Sequence, residues 1–166
     1  MGIIMNPYRF GGRTLGSAVT GGTNIGDMTA NGGLEGAFDG ITDQVGTSCA
    51  GKTTGTFAYV GKTLAAPTRI YKSISYGSNN TGYVGSINPS TTATLYGKAG
   101  VAPANSTDGT SLGSVSFTDT ANEASNPREI ESSDKETQWD HVWVRISHTG
   151  ASNTMRVAEV EIFEAV

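Results

Sequence analysis

Two carboxylates in a glycine-containing loop are the first residues in this chain that could do chemistry. Asp39 stands before Gly40, and Asp43 follows within the same short segment. Carboxylate and backbone carbonyl oxygens are the ligands that a hard cation such as calcium prefers. Asp and Gly are also among the residues that most often build turns. The spacing therefore leaves two interpretations open, a calcium-binding loop or a turn without a ligand.

A second candidate is the polar segment of residues 77–83, which contains Asn79, Asn80 and Tyr83. Side-chain amides donate hydrogen bonds to hydroxyl groups and accept them, and an exposed aromatic ring packs against the apolar face of a sugar. These three residues are predicted to bind carbohydrate. A polar loop without a ligand is the alternative.

The third candidate is a stripe of large side chains, Trp139, His141, Trp143 and Arg145, which alternate with apolar residues along one predicted strand. Two tryptophans on the outward face of a strand are unusual in a solvated sheet. Either another layer of the same chain covers them, or another subunit does, or they bind a ligand. We predict that Trp139 and Trp143 make subunit contacts in a homo-oligomer, with a trimer favoured over a dimer.

The sequence contains one phosphate-binding pattern and two pairs of carboxylates that an enzyme could use, and none of them is convincing. Residues 46–53 match the phosphate-binding pattern G-x-x-x-x-G-K-[ST], but that motif works only between a buried strand and a helix, and the residues after it have the composition of a strand. Asp39 with Asp43, and Glu159 with Glu161, are the carboxylate pairs that acid–base catalysis would need. Both pairs have simpler explanations, as turn-formers and as the outward face of a strand. We expect no enzymatic activity.

The clearest secondary-structure pattern lies in the last part of the chain. Residues 154–163 alternate, with Glu159 and Glu161 on the face opposite to the apolar side chains, and residues 140–146 alternate in the same way. A period of two indicates strands with one face in a core and the other towards solvent. The inward residues are Val142, Val144, Ile146, Ala158, Val160 and Ile162. We predict that the two strands are antiparallel neighbours that complete a β-sandwich.

Composition extends this prediction to the whole chain. The 166 residues include 23 glycines and many Thr, Ser and Asn residues, which favours short strands joined by many turns. We predict an all-β protein with one sandwich domain, residues 34–166, preceded by an extended arm, residues 1–33. The arm is either a frayed terminus or a segment that docks on a neighbouring subunit through Tyr8, Arg9 and Phe10, residue types that are favoured at interfaces.

Charge and cysteine content narrow the classes of partner. A net charge of −4 with 11 scattered basic residues argues against a nucleic-acid surface, which needs clustered Lys and Arg. No apolar run is long enough for insertion into a membrane, and residues 1–7 lack the pattern of a secretory signal. Cys49 is the single cysteine, so no disulfide can form within the chain.

Several segments, in their order along the chain, resemble the discoidin or coagulation-factor type C domain, which is close to the family-32 carbohydrate-binding modules. The matching segments are Ala37-Phe38-Asp39-Gly40, residues 60–70, Leu95-Tyr96-Gly97, residues 108–112, residues 143–146 and residues 158–163. The resemblance as a whole covers roughly residues 34–164. The resemblance implies a galactose-binding-like jelly-roll β-sandwich with a lectin-like binding function.

The resemblance also implies a structural calcium ion beside the Asp-Gly loop. The positions that correspond to the family's ligands are Asp39 and, on the last strand, Glu159, and Asp43 is the acidic residue that could compensate for a departure from the pattern. The departures in this loop are Ile41, Gln44 and Gly46. The flanking cysteine pair of the animal members is absent as well.

Residues 4–10 are similar to the starts of many tailed-bacteriophage structural proteins. Combined with a lectin-like domain that lacks a signal peptide, this similarity implies a virion component, such as a head-decoration or tail protein. It would be made in the host cytoplasm and become extracellular after lysis. Its partners would be further copies of itself, other virion proteins and host surface glycans. A free-standing carbohydrate-binding module with no virion role is the alternative.

Overall fold

The computed structural model describes residues 12–85 and 89–166. These residues form eleven strands and two short 3-10 helices, Leu34–Ala37 and Glu123–Ser125, and no α-helix. The strands are β1 (Leu15–Ala18), β2 (Thr23–Gly26), β3 (Ala30–Asn31), β4 (Ala50–Gly55), β5 (Phe57–Tyr76), β6 (Ser90–Lys98), β7 (Thr110–Thr118), β8 (Arg128–Glu131), β9 (Gln138–His148), β10 (Asn153–Val157) and β11 (Glu159–Ala165). The prediction of an all-β protein is confirmed. A helix long and apolar enough to span a bilayer is not found among the described residues.

Strand β5 connects most of the sheet. It runs for 20 residues, and its first half pairs with β9 and β2 while its second half pairs with β11 and β8. The order of the larger sheet is β1-β11-β5-β9-β6-β7, and β10, β4 and β3 form a second, three-stranded sheet. The pairing of β5 with β9 shifts register between Thr63 and Thr68. Pro67 lies in this interruption, where its missing N–H leaves no strand partner unsatisfied.

Side chains from both halves of β5 meet in one core. Val60 and Ile70 are fully buried and belong to the same apolar cluster as Leu95 of β6, Val144 of β9 and Ile162 of β11. All six side chains that the alternation predicted to face inward are at most 2% exposed. Burial of each large aliphatic side chain stabilises the fold by about 1.5–3 kcal/mol. The predicted inward faces of the two late strands are therefore confirmed.

The two late strands are not the neighbours that the sequence predicted. Residues 154–163 divide at Ala158 into β10, which pairs with β4, and β11, which pairs with β5 and β1. Strand β9 pairs with β5 and β6, so β5 lies between β9 and β11. Glu159 also differs from the prediction, because it is 6% exposed rather than directed to solvent.

Much of the predicted arm belongs to the sandwich. Strand β1 pairs with β11, β2 pairs with β5, and β3 pairs with β4. The predicted boundary at residue 33 is therefore wrong for residues 15–31, which are sheet strands and their connections. Tyr8, Arg9 and Phe10 lie outside the described residues, so their subunit contacts stay a prediction.

The tryptophan stripe of β9 is covered by this chain itself. Trp143 is fully buried and Trp139 is 6% exposed. The Trp143 ring stacks on Tyr96 with 5.4 Å between centroids, and its Nε1 donates to the carbonyl oxygen of Ser106 at 2.9 Å. Gly109 passes so close that a Cβ there would lie 2.5 Å from the indole. The prediction that Trp139 and Trp143 make subunit or virion contacts is wrong, and the stripe gives no reason to expect a trimer.

Candidate functional site

A cavity of about 370 Å³ opens where the loop after β5, the loop after β7 and strand β10 meet. Its polar lining consists of Asn80, Thr81, Asp119, Thr120, Asn153, Thr154 and Arg156. Val84, Gly85 and Ala121 complete the wall. The volume lies within the range of roughly 300–1,000 Å³ that is typical of small-molecule sites. Hydroxyl, amide and guanidinium groups dominate, so the cavity suits a ligand rich in hydrogen-bonding groups.

Backbone hydrogen bonds fix the loop that follows β5. Ser78 and Gly82 exchange two of them, at 3.0 and 3.1 Å, and the N–H of Asn79 donates to the carbonyl oxygen of Gln44 at 2.8 Å. Gly82 has a φ of +65°, and a Cβ there would lie 2.3 Å from the carbonyl oxygen of Thr120. Only glycine fits this position without strain. The loop therefore has a fixed shape before any ligand binds.

Asp119 ties this loop to the loop after β7. Its two carboxylate oxygens accept hydrogen bonds from the backbone N–H groups of Tyr83 at 2.9 Å and Val84 at 2.7 Å. Burial raises the pKa of Asp119 to about 6, although both N–H donors act in the opposite direction. The ion pair of Glu123 with Arg128 also acts on this carboxylate. Asp119 is 1% exposed, so it holds the cavity wall and presents almost no carboxylate surface to a ligand.

Strand β10 brings Thr154 and Arg156 to the cavity. The backbone N–H of Arg156 donates to the carbonyl oxygen of Tyr83 at 2.8 Å, which fixes β10 against the loop after β5. The guanidinium Nη1 donates to Oγ1 of Thr81 at 2.8 Å. The Thr154 hydroxyl donates to the carbonyl oxygen of Thr53 at 3.0 Å. Both side chains are therefore placed by contacts with neighbouring elements.

Of the three residues predicted to bind carbohydrate, one lines the cavity. Asn80 is exposed there, and its Oδ1 accepts from the hydroxyl of Ser78 at 2.9 Å. Asn79 is half-buried and does not line the cavity. Tyr83 is fully buried: its hydroxyl donates to the carbonyl oxygen of Ser75 at 2.5 Å, and its ring packs against Phe117. The prediction of an exposed stacking ring at Tyr83 is wrong, because the loop folds this ring into the core.

Sequence reasoning missed Asp119, Thr154 and Arg156. Asp119 follows an alternating strand as a single acidic residue and carries no motif. Thr154 and Arg156 stand two apart and share the strand face of Ala158, Val160 and Ile162, so alternation alone assigns them to the inward face and not to a binding site. The available signal was this pair of polar residues on one strand face, and it points to a site only when the facing loop is known.

The acidic loop brings together two of its three predicted metal ligands. Gly40 N–H donates to Oε2 of Glu159 at 3.0 Å, and Oδ1 of Asp39 accepts from the N–H of Ile41 at 2.9 Å. Burial raises the pKa of Glu159 to about 7, and the charge of Asp39 acts in the same direction. Within the described residues no three His, Cys, Asp or Glu side chains form a group that could hold a metal ion. The prediction that Asp43 joins Asp39 and Glu159 in one site is therefore wrong, and Asp43 is exposed.

One neighbour of Asp39 has an unsatisfied acceptor. Gln44 donates its Nε2 to Oδ2 of Asp39, while its Oε1 is buried without a hydrogen-bond partner among the described residues. A buried polar atom without a partner costs about 1–3 kcal/mol. Two carboxylates and a free amide oxygen are the donor types that calcium accepts. These residues fit the expected ion in donor type, with the neutral amide oxygen of Gln44 beside two carboxylates.

No protein-family model and no curated protein matches this chain, but solved structures do. A fucolectin from the serum of Morone saxatilis (striped bass) superposes with a TM-score of 0.63 and 14% identity over 93% of this chain, which spans 50% of the fucolectin chain. The lectin domain of lectinolysin, complexed with Lewis B antigen, gives 0.60 and 17% identity over 90% of this chain and 98% of that chain. The family-32 module of AlyQ, in complex with 4,5-unsaturated mannuronic acid, gives 0.53 and 16% identity over 90% and 98%. This chain has the galactose-binding-like β-sandwich fold that these lectin and carbohydrate-binding domains share.

Proposed function

We propose that this protein is a non-catalytic carbohydrate-binding domain and that the 370 Å³ cavity is its binding site. The observation that carries the proposal is a preformed cavity whose lining presents hydroxyl, amide and guanidinium groups from three separate elements. A saccharide offers several hydroxyl groups on one small ring, and such a lining can donate to them and accept from them. Structures with the same fold that are described as lectins and carbohydrate-binding modules support this assignment.

The cavity lacks the pair of carboxyl groups that glycoside hydrolysis typically uses, among the residues that the structure describes. Glycoside hydrolysis typically uses a pair of carboxyl groups on either side of the scissile bond. Asp119 is the one carboxyl group among the described cavity residues, and both of its oxygens accept backbone hydrogen bonds. The lining therefore favours binding over catalysis.

A cavity-filling substitution tests the proposed site. Ala121 is exposed at the cavity, so Ala121→Trp should block it without removing a core contact. We expect the wild-type protein to bind sugars on a glycan array, and Ala121→Trp to bind them at least about tenfold more weakly, a change of about 1.4 kcal/mol. Ala99→Trp, which places the same ring on an exposed loop outside the cavity, should bind as the wild type does. Equal binding by Ala121→Trp, or no binding to any sugar at millimolar concentration, would overturn the proposal.

We also propose that Asp39 and Glu159, together with the amide oxygen of Gln44, bind a structural calcium ion. Calcium would supply positive charge to two carboxylates whose like charges act on one another beside the Asp-Gly loop, and it would keep that loop closed. Calcium at millimolar concentration should then raise the melting temperature of the wild-type protein and leave that of Asp39→Asn unchanged. An equal response of the two proteins would contradict this site.

The role in a bacteriophage virion, and with it the virion location, stays a proposal that residues 4–10 support by sequence similarity alone. Its test is deletion of residues 1–12. A domain that uses this segment to attach to a particle would lose particle binding and keep sugar binding. A free-standing carbohydrate-binding module would bind no particle with or without the segment, and it would keep its sugar binding.

A further inference from the structure

Arg156 is a cation that forms no ion pair with any carboxylate of the described residues. Six ion pairs join other Lys and Arg side chains to carboxylates among the described residues, and Arg156 takes part in none of them. It is half-buried in the cavity wall. Transfer of a charge away from water costs free energy unless an opposite charge compensates for it. A guanidinium in this position therefore favours an anion in the cavity.

The guanidinium is held in place by close neighbours. Its Nη1 donates to Thr81, and its Nε is buried and has no acceptor within residues 12–85 and 89–166. A Cβ on Gly46 would lie 3.1 Å from Nε, and a Cβ on Gly85 would lie 3.3 Å from Nη1. Arg156 thus occupies a slot that two glycines leave open. A cation fixed in this way loses little conformational entropy when it binds a ligand.

Asp119 does not cancel this charge within the cavity. It is 1% exposed, and two backbone N–H groups occupy its oxygens. The charged groups that act on it are Glu123 and Arg128. The remaining described lining residues are neutral. The accessible wall therefore carries one positive group among neutral hydroxyl and amide groups.

We infer that the cavity selects acidic saccharides, sugar rings that carry a carboxylate, over their neutral counterparts; this inference rests on the proposed function. A carboxylate matches the planar fork of a guanidinium, and charge-assisted hydrogen bonds of this kind are stronger than neutral ones. The side-chain amide of Asn80 remains for the ring hydroxyls, and the hydroxyl oxygens of Thr120 and Thr154, which donate to Glu123 and Thr53, remain as acceptors.

The experiment compares matched sugars by NMR titration of the ¹⁵N-labelled protein. The ligands are methyl galacturonoside and methyl galactoside, and methyl glucuronoside and methyl glucoside. We expect each acidic sugar to bind at least about tenfold more tightly than its neutral partner at low salt, with a shift of the Arg156 Nε–H signal. Arg156→Gln should reduce the preference to less than about twofold, and Arg156→Lys should retain part of it. Arg69→Gln, outside the cavity, should retain all of it.

The outcomes separate this inference from the proposed function. Equal binding of acidic and neutral sugars, or an unchanged preference in Arg156→Gln, overturns the inference and leaves the proposed function standing. If the protein binds none of the four sugars and no sugar on the glycan array, the inference and the proposed function are both overturned. If Arg156→Gln does not fold, the salt dependence of sugar binding by the wild-type protein tests the inference instead. An increase from about 50 to about 500 mM NaCl should weaken the acidic sugar and leave the neutral one unchanged, and equal salt dependence would overturn the inference.

Discussion

Glu159 is the group whose ionisation should matter most for stability. It lies at the start of β11, 6% exposed, with the N–H of Gly40 as a donor and Asp39 and Glu161 as neighbouring negative charges. Burial, followed by these charges, raises its pKa from an ordinary 4.5 to about 7. The folded protein therefore holds this proton more tightly than the unfolded chain does. The stabilisation is fully present below pH 4.5 and is lost as the pH rises through 7.

The magnitude follows from the difference between the two pKa values. At 1.36 kcal/mol for each pH unit, the difference corresponds to roughly 3–4 kcal/mol before screening. Asp39 and Gly40 are exposed, so water screens part of the interaction, and about 1–2 kcal/mol is the expected change in the free energy of unfolding. Glu159→Gln keeps an oxygen that accepts from Gly40 and removes the charge. This variant should be more stable than the wild type at pH 7.5 by about that amount.

The assay is urea denaturation from pH 4.5 to 8 with a chelator present, repeated with calcium. The wild type should lose stability across this range, and Glu159→Gln should lose much less. Asp119, whose pKa is raised from 3.8 to about 6, contributes a loss at the lower end in both proteins. Glu164→Gln, on the same strand, should follow the wild type. Calcium should restore the wild type at pH 7.5 and leave Glu159→Gln unchanged. The same slope in the wild type and Glu159→Gln would refute the reasoning.

Two further predictions concern buried aromatic residues. Tyr83→Phe removes the hydrogen bond to the carbonyl oxygen of Ser75 and should lower the free energy of unfolding by about 1–2 kcal/mol in urea denaturation. Its sugar binding should stay unchanged, whereas a loss of affinity would indicate that the hydroxyl contacts the ligand. Trp143→Phe removes the hydrogen bond to Ser106 and part of the stack on Tyr96 and should cost about 2–4 kcal/mol. Sedimentation should give the same oligomeric state for Trp143→Phe as for the wild type, and a change would argue against burial of this ring within one chain.

The sequence predicts the inward faces of this fold better than its strand neighbours. Alternation is a local property, so Val144 and Ile162 are recognisable as core residues without knowledge of the partner strand. Whether β9 lies beside β11 depends instead on β5, which is far from both along the chain and inserts between them. No local pattern in the sequence records that insertion.

The sequence predicts the candidate site less well, because polar neighbours in the sequence suggest that a side chain is exposed when the fold in fact buries it. Tyr83 stands among Gly, Asn and Thr residues, a composition typical of an exposed loop. Its backbone N–H nevertheless donates to the buried Asp119, and its ring is fully buried. Trp143 shares a strand face with Arg145, yet a loop rich in small residues covers it. Arg156 shares its strand face with the inward residues Ala158, Val160 and Ile162, and its place in a cavity wall is recognisable only when the loops around it are known.

The pairing of β1 with β11 has a consequence for synthesis. Leu15 pairs with Ala165. Both halves of β5 pair with strands that follow much later in the chain, the first half with β9 and the second with β11. Contacts between distant parts of a chain slow folding, because the loop entropy is lost before the contacts form. A nascent chain that has just exposed β5 therefore carries a long strand that the earlier β2 can pair only at Val60–Thr63, and the remaining unpaired edges are templates for aggregation. The sandwich can close only after the last strand has left the ribosome, so chaperone binding before that point should govern the yield of folded protein.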